Sequence, residues 1–248
     1  MSNELDRERQ LVAATPGGGE IPAPMEGDSL RRGPEHGVRE GVCGDQPPSR
    51  DTRPDRATRF IETALGTLSY SDLAQILAER VLRAEARIYG RDFEGRGLDE
   101  HLLSELHRLI CADIVPDWAG QWRAIEIRVG TLEPPLPHKI PVLIREYGAD
   151  LSARWPDASA GLGQLTLECL AFAEGRFLTI HPFTDFNGRT IRLFLLEILR
   201  RLDLPRVVLA PESEADRQTY FQALEAADRA DWQPLAAIWE TRLINATP

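Results

Sequence analysis

His181-Pro182-Phe183-Thr184-Asp185-Phe186-Asn187-Gly188-Arg189-Thr190-Ile191-Arg192 places a titratable base, a carboxylate, a loop-forming Asn-Gly pair and two arginines in one short stretch. Directly after it, Ile191, Phe194, Leu195, Ile198 and Leu202 recur at three- and four-residue intervals, the mark of one helix face. The stretch therefore reads as a loop opening onto a helix N-terminus. Backbone N–H groups there lack intrahelical partners and the dipole is positive, so the position suits phosphate. Arg189 and Arg192 lie three residues apart on the first turn and face the same side. The dipole disfavours cations at this end, so their placement suggests a bound polyphosphate.

The residue types also carry chemistry. His181, with an ordinary pKa near ~6.5, accepts a proton at neutral pH, as a hydroxyl attacking phosphorus requires. Asp185 is a hard oxygen ligand suited to Mg²⁺. Asn187 and the N–H groups that open the helix, with Gly188 among them, suit α-phosphate oxygens. Arg189 and Arg192 offer guanidinium forks to β- and γ-phosphates. Spacing alone supports an anion site with a base and a metal-binding carboxylate.

The rest of the chain sets bounds. Its 248 residues allow one or two domains with a sizeable core. A net charge of −10 argues against a nucleic-acid binder. No apolar run reaches the ~20 residues of a membrane span, and the N-terminus lacks a secretory pattern. Cys43, Cys111 and Cys169 are scattered and odd in number, which suggests a reducing, cytoplasmic setting.

Residues 1–56 hold 7 of the 18 prolines and 8 of the 19 glycines, with few apolar residues, and read as a disordered tail. Composition shifts from about residue 57. Thr58 to Leu65 reads as a short helix. Ser71-Asp72 caps a second helix bearing Leu73, Ile76, Leu77, Val81, Ala84 and Ile88; Asp99 caps a third bearing Leu102, Leu103, Leu106 and Ile110. His107 near that face reads as a core histidine satisfied by hydrogen bonds. Ile125, Ile127 and Val129 alternate with polar residues as a strand does, and Gly130-Thr131 can turn it back. The Pro-rich run Glu133 to Pro141 favours an extended edge or connector. Further helices are expected over about 141–155, 159–177, from the motif to about 203, and over 213–227 and 231–245.

The twelve-residue stretch resembles the signature of the Fic family, usually HPFxxGNGRxxR with an acid before the first glycine. Eight of its nine specified positions agree; the exception is Phe186, where the family has glycine. A signature this long is specific, and the resemblance covers roughly residues 58–245. It implies a mainly α fold: a single helical Fic-type domain over 57–248, with a small β-hairpin flap near 122–141 and an active-site loop at 181–189. It also implies transfer of AMP from ATP, with Mg²⁺, to a Ser, Thr or Tyr hydroxyl of a target protein. On that reading His181 is the base, Asp185 the metal ligand, and Phe186, Asn187, Gly188, Arg189 and Arg192 the ATP site. The flap residues Leu136, Pro137, His138, Lys139 and Ile140 would hold the target by strand addition. Thr58 and Glu62 match a Ser/Thr-x-x-x-Glu pattern that in many Fic proteins lies on an inhibitory helix, expected here over 57–66, with Glu62 pairing to Arg192. A small antitoxin protein supplying such a helix in trans is the other route to a brake. Two alternatives stay open. One is a relative that moves a different phosphate-containing group or removes AMP. The other is a degenerate fold that binds nucleotide or a partner, because of Phe186.

Overall fold

Two helices carry the centre of the molecule. α4 (Gln164–Ile180) and α5 (Asn187–Arg201) are buried almost all round; Cys169 to Ala173 and Leu193 to Leu196 are unbroken buried runs. A helix apolar on every side belongs in the interior. The loop joining this pair, 181–186, is the loop that the sequence motif forecasts. The computed structural model describes residues 50–51, 60–130 and 132–246. All of them fall within the unit Ser49–Pro248. The tail expected over 1–56 otherwise lies outside the described residues, as do Thr58 and Cys43.

Among the described residues, five helices surround the pair. α1 (Tyr70–Tyr89) and α2 (Glu100–Cys111) pack on each other and on α5. α3 (Ile140–Ala158) packs along α4, and α6 (Glu214–Ala227) and α7 (Gln233–Ala246) close its other side. Caps set the boundaries: Ser69 accepts from the Asp72 N–H, Asp99 from those of His101 and Leu102, and Ser213 from that of Asp216. The α1 cap is thus Ser69 and not Ser71-Asp72. Gly175 lets α4 and α6 approach closely, since a Cβ there would stand 2.8 Å from the Ala227 methyl. No helix of the described residues is long and apolar enough to cross a membrane.

Two buried carboxylates tie the layers together. Glu174 accepts from Tyr220 Oη at 2.7 Å and pairs with Arg242 at 2.9 Å, joining α4 to α6 and α7. Glu197 pairs with Arg200 at 2.8 Å and Arg201 at 2.7 Å. Those arginines reach on to Glu94 and to the carbonyls of Phe93 and Arg96, which pins the α1–α2 loop against α5.

The strands correct two expectations. Residues 60–69, the first part of which was expected as a helix over 58–65, form an antiparallel hairpin of β2 (Phe60–Thr63) and β3 (Gly66–Ser69), paired Phe60↔Ser69 to Thr63↔Gly66. Phe60, Ile61, Thr63 and Thr67 are aromatic or β-branched, which suits a strand. Gly66, at φ 99°, takes the left-handed backbone that closes the turn, and the Ala64 N–H donates to the Ile114 carbonyl. The inhibitory helix at 57–66 is therefore not formed over its described part. Glu62 accepts from Thr67 Oγ1 at 2.8 Å across the hairpin.

The flap is also smaller than expected. β4 (Ile127–Arg128) leads to a single antiparallel bridge, Val129↔Leu132, and β4 pairs in parallel with β1 (Arg50–Asp51). Leu136 is extended and 42% exposed, but Pro137–Lys139 is one 3₁₀ turn and Ile140 is the buried first residue of α3. Proline at a helix's first position has no N–H to lose, so the Pro-rich run starts a helix where an edge strand was expected. Of the five docking residues named from sequence, only Leu136 keeps extended backbone outside the helical turns.

Candidate active site

The α4–α5 loop, the first turn of α5, Tyr70 of α1 and Val129 of the flap enclose a cavity of about 220 Å³. His181, Asp185, Phe186, Asn187, Gly188, Arg189 and Arg192 all line it. Every motif residue assigned from sequence to the base, the metal or the nucleotide is thus in one place. Glu62 does not line it.

His181 ends α4 in left-handed backbone, φ 48° and ψ 61°, with its N–H still donating to the Phe177 carbonyl. This conformation costs a non-glycine residue about 1–2 kcal/mol, and the surroundings hold it. Arg123 Nε donates to the His181 carbonyl at 2.8 Å, and the Arg123 N–H to that of Pro182 at 2.8 Å. The same guanidinium also donates to the carbonyls of Ile125 and Pro135, so it fastens the base to the root of the flap. The His181 Nδ1 lies 3.2 Å from the Leu178 carbonyl. A carbonyl only accepts, so Nδ1 carries the proton and Nε2 keeps its lone pair. Burial lowers the His181 pKa to about 4, opposed by the Leu178 carbonyl and assisted by the Arg123 charge. The ring is neutral at pH 7 and ready to accept a proton.

Phe183 is buried, and its peptide is clasped by Asn187: the amide oxygen accepts the Phe183 N–H at 3.0 Å, and the amide nitrogen donates to its carbonyl at 2.8 Å. The Asn187 side chain is therefore committed to shaping the loop. Its backbone N–H has no partner among the described residues and stands at the cavity.

Phe186 sits at φ 59°, ψ 13° as the N-cap of α5, the left-handed region where glycine is natural. Its carbonyl accepts from the N–H groups of Arg189 and Thr190, and its own N–H donates to Asp185 Oδ1 at 2.7 Å. The side chain is 2% exposed and packs beside Trp118, centroids 5.6 Å apart. The ring goes into the core and the cavity stays open. Among the described residues, no hydrogen bond uses the N–H groups of Asn187 and Gly188, which remain at the helix's positive end.

Arg189 Nη1 lies 3.2 Å from Tyr70 Oη, and Arg192 Nε donates to the Gly188 carbonyl at 3.1 Å. Neither arginine pairs with a carboxylate among the described residues. Burial and then the Arg189 charge push the Arg192 pKa down, against weaker pulls from Tyr220, Glu174 and Tyr70. Two like charges at a helix N-terminus favour the arrival of an anion. Among the described residues, Asp185 is the one carboxylate lining the cavity, and no cluster of three or more His, Cys, Asp or Glu that could hold a metal occurs. That donor set fits Mg²⁺, which commonly takes one or two carboxylates, substrate phosphates and waters.

Sequence reading missed Tyr70, Arg123 and Val129. A lone tyrosine and a lone arginine carry no spacing signal, and Val129 matters only because the flap folds over the loop.

Residues 97–199 match the family model described as the Fic/DOC family. The chain is 28% identical over 180 residues to the protein adenylyltransferase fic-1 of Caenorhabditis briggsae, an overlap of 68% of this chain and 34% of that protein. It is 29% identical over 130 residues to the protein adenylyltransferase Fic of Drosophila persimilis, covering 52% of this chain and 24% of that protein. The matched part thus spans about a third or less of these relatives' length. Among solved structures, the N-terminal FIC domain of the Bep8 protein of Bartonella sp. 1-1C shares the fold with a TM-score of 0.61 at 14% identity, over 74% of this chain and 90% of that one. The BepC protein of Bartonella tribocorum, solved with bound AMPPNP, gives 0.57 at 18% identity, over 76% and 94%.

Proposed function

From a chain whose residues 97–199 form a Fic/DOC family domain, we propose that the protein transfers AMP from ATP to a side-chain hydroxyl of a target protein. The observation that carries the reading is the shared cavity. One neutral imidazole, the opening amides of α5 and two guanidiniums without carboxylate partners among the described residues line a single space. The names of the nematode and fly relatives point the same way.

The chemistry builds on those residues. The target oxygen forms a bond to the α-phosphorus of ATP while the bond from that phosphorus to the bridging oxygen breaks, and pyrophosphate leaves. His181 Nε2 takes the hydroxyl proton. The N–H groups of Asn187 and Gly188 offer donors to the α-phosphate oxygens as charge develops. Arg189 and Arg192 hold the β- and γ-phosphates, which orients the leaving group. Asp185 would hold Mg²⁺, which neutralises charge on the phosphate oxygens when bound. Leu136, extended and exposed beside the flap, is the remaining docking candidate for the target segment.

We place the reaction in the cytoplasm, where ATP is supplied and where the free thiols of the buried Cys111 and Cys169 stay reduced. With Glu62 engaged in the hairpin, a brake would come from elsewhere, and a small antitoxin protein in trans is the candidate.

The test is mass spectrometry of the protein and candidate targets after incubation with ATP and Mg²⁺. Wild type is expected to add AMP, and His181→Ala to lose the addition by about 10²–10⁴-fold, the usual contribution of a positioned base. Equal addition by both proteins would remove His181 from its role.

A further inference from the structure

We propose that His107 is a positioning residue for this reaction: from inside the core, its ring holds the main-chain carbonyl of Asp185 and so fixes where that carboxylate stands. The proposal rests on the transfer reading above.

His107 sits on α2, fully buried, and does not line the cavity. Its Nε2 is 3.2 Å from the Asp185 carbonyl, and its Nδ1 takes the Gly120 N–H at 2.8 Å. An amide N–H only donates and a carbonyl only accepts, so a single neutral tautomer, protonated on Nε2, satisfies both. The ring also stacks on Phe183, centroids 3.9 Å apart and planes 8° apart. It therefore touches two residues of the active-site loop, Phe183 and Asp185.

A residue serving only to fill the core would need volume alone. Here both ring nitrogens are used, and each partner is main chain placed for the purpose. Gly120, at φ 73°, lies so close to α2 that a Cβ would stand 2.2 Å from Arg108 Cγ. Glycine there lets the chain present its N–H to His107. On the other side, the Asp185 carboxylate takes the Phe186 N–H, so carbonyl, carboxylate and the left-handed Phe186 peptide form one turn. Releasing the carbonyl frees that turn, whereas Arg189 and Arg192 stay on α5. Loss of the His107 bond should therefore lower kcat and weaken the Mg²⁺-dependent part of ATP binding, while metal-free ATP binding through Arg189 and Arg192 persists.

Two amide substitutions separate the two bonds. In His107→Asn the side-chain oxygen can replace Nδ1 toward Gly120, but nothing reaches Asp185. In His107→Gln the amide nitrogen can replace Nε2 toward Asp185. His107→Asn is expected to melt near wild type, to keep its metal-free ATP affinity and to lose kcat by about 10–100-fold, a typical effect of a group that orients a ligand. His107→Gln is expected to recover turnover to within about threefold. A Gln variant as slow as the Asn variant at unchanged melting temperature, or an Asn variant as fast as wild type, overturns the proposal. Should His107→Asn not fold, the Gln variant decides by the same criterion against wild type. Should wild type transfer no AMP, the failure belongs to the proposed function. Calorimetry of ATP binding with and without Mg²⁺ then decides the positioning role. The gain in affinity from Mg²⁺ should fall in His107→Asn and persist in His107→Gln; the same gain in all three proteins overturns it.

Discussion

Phe186 takes the place of the glycine that its left-handed backbone would favour, and the ring decides whether the site survives. The backbone conformation costs about 1–2 kcal/mol. Burying the ring returns about 1.5–3 kcal/mol, so the two effects roughly offset. Phe186→Gly relieves the first and opens a hole beside Trp118 and His107. Large-to-small changes of a buried Phe cost about 3–5 kcal/mol, so a net loss of about 1–4 kcal/mol is expected in urea unfolding. ATP affinity should change little, because the N–H groups of Asn187 and Gly188 stay in place. At the same scale, the His181 ring should titrate near 4 in an NMR pH series, with the proton on Nδ1 above that value. The motif made most of these residues legible as a set. It did not reveal that the Asn187 side chain clasps Phe183, because an asparagine after a left-handed residue serves loop or ligand equally well on spacing alone.

Among the elements, the helices were readable because their apolar faces recur over long stretches, and α1, α2 and α6 start at a Ser or Asp cap. Residues 60–69 were not. Four-residue strands carry too few positions to show a period, and the hairpin is tied down by the Ile114 carbonyl, far along the chain. The Pro-rich run was legible as no central strand, but whether proline ends an extended arm or starts a turn depends on where the next apolar residue packs. Here Ile140 finds the core and α3 begins. The Glu197 network makes a prediction at this scale. Glu197→Ala leaves Arg200 and Arg201 without their central carboxylate and should destabilise the protein by about 3–5 kcal/mol, seen as a lower urea midpoint. A shift under about 0.5 kcal/mol would mean that Glu94 and the Phe93 and Arg96 carbonyls satisfy both arginines unaided.

Across the whole molecule, a strongly acidic chain concentrates two guanidiniums, neither paired with a carboxylate among the described residues, at one helix end. Net charge alone would not locate an anion site; the fold does, by burying the apolar α4–α5 pair and leaving only its connecting loop for chemistry. Two histidines give this architecture a pH signature. Burial lowers both His107 and His181 to about 4, against an ordinary 6.5. Between those values the unfolded chain binds more protons than the folded one. Stability should therefore be full above about pH 6.5, fall as pH drops, and lose both contributions through pH 4. Thermal melts from pH 7.5 to pH 4 check this, and His107→Gln should flatten part of the slope.

The central claim is transfer of the α-phosphoryl group with its nucleoside, and paired labelling of ATP tests it most directly. Protein incubated with Mg²⁺ and ATP labelled at the α-phosphorus should retain label through denaturing separation. ATP labelled at the γ-phosphorus should leave none, and His181→Ala should lose the α-label. Label retained from the γ position, or from neither, would contradict the account.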